Sequence, residues 1–378
     1  MYRLLVVLLS ILLLAGCGPQ PVETLAPGPG PTATSPAPSA EPPGLTQAPS
    51  PAAPAATLPP ANAPLTQPTM LARYDLAAGE QGESIAAGPG KVWVGTTGGA
   101  VLEFDAASGA LRSTYALLDG SLVNPTPVLA LAFDGVHLWA LARSTVEGTQ
   151  YKTLFVLDPD SGATVHQVDV SDSDPEQVGL APGQVWLQNA VFDTGTYQST
   201  PLEMATDSSV FAYDGAGMWV GGAATTCDEC ENMLYRFAGG TLDIGPSASQ
   251  QITALAAAGD RLWVLTDFNQ LDGYTLAAGL NADASPDPRV DLSGDHDFPP
   301  AAMLYDGSRL WLLGSVGKGS GRIFQHNPQT GKREFALLVG DTSEVPENAS
   351  IPLAMAYDGQ DLWVLTALHL VRVGLPPK

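Results

Sequence analysis

The chain has 378 residues, with 16 Lys and Arg against 39 Asp and Glu and a formal net charge of −23. So acidic a surface repels phosphate backbones and anionic headgroups, which argues against nucleic-acid partners and against electrostatic membrane binding. Three cysteines are too few for a disulfide scaffold, and His137, His166, His296, His326 and His369 share no spacing that suits a metal or triad set.

At the N-terminus, Arg3 precedes an apolar run over residues 4–14, broken only by Ser10. The run is shorter than the roughly 20 residues a spanning helix needs, so residues 1–16 are expected to be a signal peptide. It ends in Leu14-Ala15-Gly16-Cys17, which resembles the lipobox of bacterial lipoproteins. That resemblance implies cleavage before Cys17 and a thioether-linked lipid on its sulfur. Two or three acyl chains make a durable anchor, so the expected location is outside the cytoplasm, on the cell membrane or the outer membrane.

Residues 18–70 hold 16 of the 33 prolines, no Lys or Arg, and only Glu23 and Glu41 as charges. With few large apolar side chains, burial cannot offset the ordering entropy. Residues 17–70, from the lipidated cysteine onward, are therefore expected to form a disordered tether. At about 3.1 Å per residue it would reach on the order of 150 Å.

Residues 71–378 are too long for one ordinary core, and repeats resolve the matter. Trp93, Trp139, Trp186, Trp219, Trp263, Trp311 and Trp363 each follow an apolar residue, at steps of 46, 47, 33, 44, 48 and 52 residues. Such steps suit four short strands plus turns, one blade of a β-propeller. Ahead of the tryptophans lie Asp134-Gly135, Asp214-Gly215, Asp306-Gly307 and Asp358-Gly359, which read as tight hairpin turns. Beyond them come second turns such as Asp158-Pro159-Asp160-Ser161-Gly162 and Asn327-Pro328-Gln329-Thr330-Gly331. A residue repeated at one place in every unit is core, so the tryptophans are expected between blades rather than in a ligand-stacking set. The fold class is all-β: a single propeller, with seven four-stranded blades as the leading count. The last unit supplies three strands, and residues 71–76 are expected to complete it. The third unit is expected to be short or irregular, because 191–204 lacks the second-turn signature; six or eight blades stay open on that account.

Strand parity puts the short turns on one face and the long, irregular loops on the other. The second face is the expected binding face. Its loops carry Asp172, Asp174 and Glu176, then Asp295, His296 and Asp297, then Asp341 and Glu344. No cofactor is expected. Such carboxylates suit Ca²⁺ or Mg²⁺ chemically, but no calcium-loop motif is present, and a solvated acidic rim is the leading reading. Cys227 and Cys230 lie in one loop and are expected to pair as a local disulfide outside the cytoplasm.

The recurring Tyr/Phe-Asp-Gly-x-x-Leu-Trp-Val and Asp-Pro-x-Ser/Thr-Gly pieces, over roughly residues 71–373, resemble extracytoplasmic seven-bladed propellers of the virginiamycin-lyase-like, quinoprotein-like and NHL-like group. These are scaffold motifs. The lyases of the group use a His and an acid with Mg²⁺ at the central funnel; the sequence does not place those positions, so that activity is not carried over. The resulting reading is a membrane-anchored, monomeric binding module for a protein, glycan or envelope component, without catalytic residues. The alternative is an extracytoplasmic lyase, lactonase or hydrolase with a divalent cation in the funnel.

Overall fold

The computed structural model describes residues 66–117, 126–202, 210–223, 232–248, 250–276, 283–293, 302–316, 320–340 and 351–378. Among them, 28 strands form seven four-stranded antiparallel sheets, the blades of one β-propeller. Blade 1 pairs Gly82–Gly88, Lys91–Thr96, Ala100–Asp105 and Leu111–Ala116 in that order. Blades 2 to 6 repeat the pattern over residues 128–169, 179–201, 210–248, 252–291 and 302–338. Blade 7 takes Pro352–Tyr357, Asp361–Thr366 and His369–Gly374, and its fourth strand is Thr69–Asp75. Tyr74 lies opposite Leu370 in that pairing, so the two ends of the array close the ring and remove an edge that would otherwise stay open.

Burial follows a strand's place in its blade. Second strands are covered on both faces and read as continuous apolar runs: Val92-Trp93-Val94 and Leu262-Trp263-Val264-Leu265 are buried throughout. Fourth strands alternate exposed and half-buried positions, as over Leu111–Ala116 and Arg333–Leu338. First strands, which touch their counterparts in neighbouring blades, use small residues such as Ala130, Ala132, Ala254, Ala256 and Ala356 where sheets crowd together.

Seven apolar clusters divide the core, and each holds one tryptophan between two neighbouring blades. Trp311 of blade 6, for example, packs with Leu362, Val364, Val371 and Val373 of blade 7. A buried indole removes 150–250 Å² from water, roughly 4–6 kcal/mol of gross transfer free energy per blade contact.

Blade 3 is short but regular in topology, with strands Gly179–Ala181, Gln184–Leu187, Ala190–Asp193 and Ser199–Pro201. Its second turn is present, contrary to the expectation for 191–204. Asp193 Oδ1 accepts from the N–H groups of Gly195 and Thr196 at 3.1 and 2.8 Å. Asp158 and Asn327 close their turns in the same way. The signature is hidden because Tyr197, at φ 58°, stands where the other turns have Gly162 and Gly331. Helical structure among the described residues is confined to short turns such as the 3₁₀ turn Ser171–Ser173, and no helix among them is long and apolar enough to cross a membrane.

Candidate functional site

The indole N–H groups show how each blade contact is completed. In blades 2, 4, 6 and 7 the first hairpin holds Asp134, Asp214, Asp306 or Asp358. Its Oδ1 accepts from the backbone N–H groups two and three residues on, at 2.7–2.8 Å. Its Oδ2 accepts the indole N–H of the tryptophan five residues on, at 2.8–2.9 Å. One carboxylate thus closes a turn and satisfies a buried donor. Burial pushes the Asp306 carboxyl up, but donation from Trp311, the Arg309 backbone and Ser308 outweighs it and leaves the group below the ordinary carboxylate range. Asp214 is lowered by the same balance, with Arg236 added.

Blades 1, 3 and 5 have Gly88, Ala181 and Ala258 at that register position, opposite Lys91, Gln184 and Arg261. Trp263 instead donates to the Pro328 carbonyl in the second turn of blade 6, at 2.9 Å. The corresponding carbonyl in blade 2, Pro159, is taken by Lys91 Nζ at 2.7 Å. The indole nitrogens of Trp93 and Trp186 are buried and have no partner among the described residues.

Second turns also roof the contact with the preceding blade. Gly109 lies against Tyr74, Gly162 against Tyr115, and Gly331 against Trp263 and Val290, each so close that a Cβ would strike the neighbour. In blade 3 the Tyr197 ring does this work. It stacks on His166 at 5.0 Å, lies 6.1 Å from Trp139, and places its hydroxyl 3.2 Å from His137 Nε2. Leu276 and Ala284 of blade 5 pack against the cluster of Trp219. Blade 7 has no covalent second turn, because its fourth strand comes from the other end of the chain. The C-terminal residues take that place: Arg309 donates to the Pro376 carbonyl at 2.9 Å. Lys378 donates to the Asp306 carbonyl and holds its ammonium 5.2 Å from the Tyr357 ring centre.

Among the described residues, the contact between blades 3 and 4 lacks such a roof. The strands Asn232–Ala238 and Thr241–Ala248 are joined by Gly239-Gly240 alone, and a Cβ on either glycine would meet nothing within 4 Å. A two-residue turn does not reach over the preceding blade as a five-residue one does. What remains is a groove of about 680 Å³, with Trp186, Tyr213 and Phe237 as its aromatic lining and Pro182, Pro201 and Leu242 among its other walls. Trp186 and Phe237 meet at 5.3 Å between ring centres. Among the described residues, none that lines the groove is charged, on a chain of net charge −23. The two places to which other tryptophans donate a hydrogen bond are here Ala181 and the Ala238–Gly240 turn, and both line the groove.

The acidic loops are placed in part. Asp174 and Glu176 converge on Lys152, whose side chain is 2% exposed and whose Nζ lies 2.7 Å from Asp174 Oδ1 and 2.6 Å from Glu176 Oε1. An unpaired buried ammonium would be several kcal/mol unfavourable, so these two acids pin the blade 2–blade 3 connection. Asp172 is exposed in the 3₁₀ turn beside them. Cys17, Cys227, Cys230, Asp295, His296, Asp297, Asp341 and Glu344 lie outside the described residues. Among the described residues no three His, Cys, Asp or Glu side chains converge as metal ligands would.

The groove lies on the face of the short turns, opposite to the loops singled out from the sequence. Three departures in the repeat mark it: Ala181 in place of aspartate, Gly239-Gly240 in place of an Asx-initiated turn, and the 33-residue step from Trp186 to Trp219. No protein-family model matches the chain, and no curated protein matches it in sequence. Function is therefore argued from the site and not from the fold.

Proposed function

We propose that this chain is a lipid-anchored, extracytoplasmic propeller that binds a protein, glycan or other component of the cell envelope, with the groove between blades 3 and 4 as its site. The observation that carries the reading is an aromatic groove, uncharged among the described residues, lined by Trp186, whose buried indole N–H has no partner among them. Its volume of about 680 Å³ falls in the usual range of ligand sites. The acidic charge elsewhere keeps the domain soluble and turns polyanions away. Acylation at Cys17 would hold the domain at the membrane, and residues 18–70 would set its reach.

The test closes the groove with the chain's own chemistry. Gly239-Gly240 is replaced by the five-residue turn of residues 327–331, and a photoreactive residue at Leu242 reports on neighbours in intact cells. The open protein is expected to give a discrete cross-linked adduct and the grafted protein none. Identical adducts from both would refute the groove as the site.

A further inference from the structure

We infer that the groove between blades 3 and 4 takes a proline-bearing, extended segment of another polypeptide, whose backbone carbonyl accepts the Trp186 indole N–H. The inference rests on the groove being the binding site and names the chemistry of its occupant. The ring itself supplies the precedent. Three blade contacts on this face carry a prolyl carbonyl as acceptor: Pro159 for Lys91, which also pairs with Glu103 and Asp160, Pro328 for the Trp263 indole, and Pro376 for Arg309, while Arg372 uses the Ala107 carbonyl. Pro376 is the closest parallel, because the tail Leu375-Pro376-Pro377-Lys378 runs in without a turn connecting it to the blade it covers.

At Trp186 the donor is present and the acceptor is missing. The residue is 5% exposed and its buried nitrogen has no partner among the described residues. Trp93, also unpartnered, is the informative control, since the turn of residues 158–162 already roofs its contact and Lys91 takes the Pro159 carbonyl. Charge points the same way. The described lining carries no counter-charge for an ionic ligand, whereas prolyl segments present flat apolar rings and carbonyls, with no N–H to satisfy at proline. Aromatic grooves bind such segments because the extended helix of proline-rich chain is already ordered before binding. The groove continues outward from the buried contact of Trp186 with Met218, Val220 and Tyr235, so an occupant would extend an existing blade interface.

The experiment uses the full chain in detergent with ¹⁵N-labelled tryptophan, which gives one indole signal per tryptophan; Trp186→Phe assigns the signal of interest. A proline decamer is expected to move the Trp186 signal downfield, in the direction of a newly accepted hydrogen bond, and to leave Trp93 in place. A Gly-Ser decamer is expected to do neither. Leu242→Arg, at a groove position 41% exposed and therefore safe for folding, should weaken the proline decamer about tenfold or more. The graft of residues 327–331 should abolish its binding. If chitotetraose moves the Trp186 signal and the proline decamer does not, the groove stands as a site and the prolyl assignment falls. If neither moves it and the graft leaves the cellular adducts unchanged, both readings fall together.

Discussion

Trp311 and Trp186 occupy the same position in their blades and are completed differently. Trp311 donates to Asp306, is fully buried, and has the C-terminal tail above it, with Arg309 holding Pro376. Trp186 has Ala181 in place of the aspartate and an open groove in place of the roof. The ring closes all the same. The comparison teaches that packing of the indole between blades is the structural requirement. The hydrogen bond and the roof are separate additions, and a propeller can omit both at one contact without losing its topology.

The widest gap should come from removing the rings. Trp311→Ala is expected to destabilise by about 4–5 kcal/mol, at the upper end for a buried aromatic. Trp186→Ala should cost about 3 kcal/mol, because Trp186 sits in a smaller buried cluster and makes no indole hydrogen bond among the described residues. Denaturant midpoints at constant m-value measure both, and equal losses would break the comparison.

Asp306→Ala comes next, at about 2 kcal/mol, since it strands the Trp311 indole and opens the turn at once. Its acid dependence has a definite sign. Asp306 and Asp214 are held below the ordinary carboxylate range. Their contribution is therefore present above that range and lost as pH falls through their lowered values. Asp361 runs the other way: burial raises it, and Arg372 recovers only part of the shift. Its contribution is greatest at low pH and fades as pH rises through the raised value. Asp306→Asn should flatten the acid limb of the stability curve, and Asp361→Asn should steepen it. Matching slopes in both variants would show that neither carboxylate is coupled to folding.

A smaller effect of opposite sign sharpens the contrast. Ala181→Asp combined with Pro182→Gly transplants the hairpin of blades 2, 4, 6 and 7 into blade 3, in the same register opposite Gln184. Supplying the Trp186 acceptor should stabilise by about 1 kcal/mol, with the indole signal of Trp186 moving downfield. No gain would mean that the groove already satisfies the donor by another route. Smallest of all is Tyr197→Gly, expected within about 1 kcal/mol of the parent: it removes the stack on His166 and relieves a left-handed backbone. Tyr197→Ala keeps that strain and loses the ring, so it should be the less stable of the two by thermal midpoint.

Much of this was legible beforehand. The turn residues Asp134 and Asp158 announce their hairpins because an Asx side chain and a following glycine act within five residues. The seven tryptophans announce the core because burial on both faces of a strand leaves an apolar run around each one. The second turn of blade 3 is not legible in the sequence, because Tyr197 stands where the other turns have glycine, and only the stack on His166 shows what the exchange achieves. The roles of Asp174 and Glu176 are not legible either, since Lys152 lies a strand away and nothing local marks its burial.

By itself, then, the sequence determined the blade repeat, its four-strand plan and the closure of the last blade by the segment around Tyr74, all of which arise from local turn chemistry and the period of apolar residues. Tertiary structure alone decided which contact stays open. Whether Trp186 is roofed depends on a turn more than 50 residues further on, in the next blade. The same shortage of side chains at Gly239-Gly240 would be unremarkable anywhere that no buried donor lay beneath it.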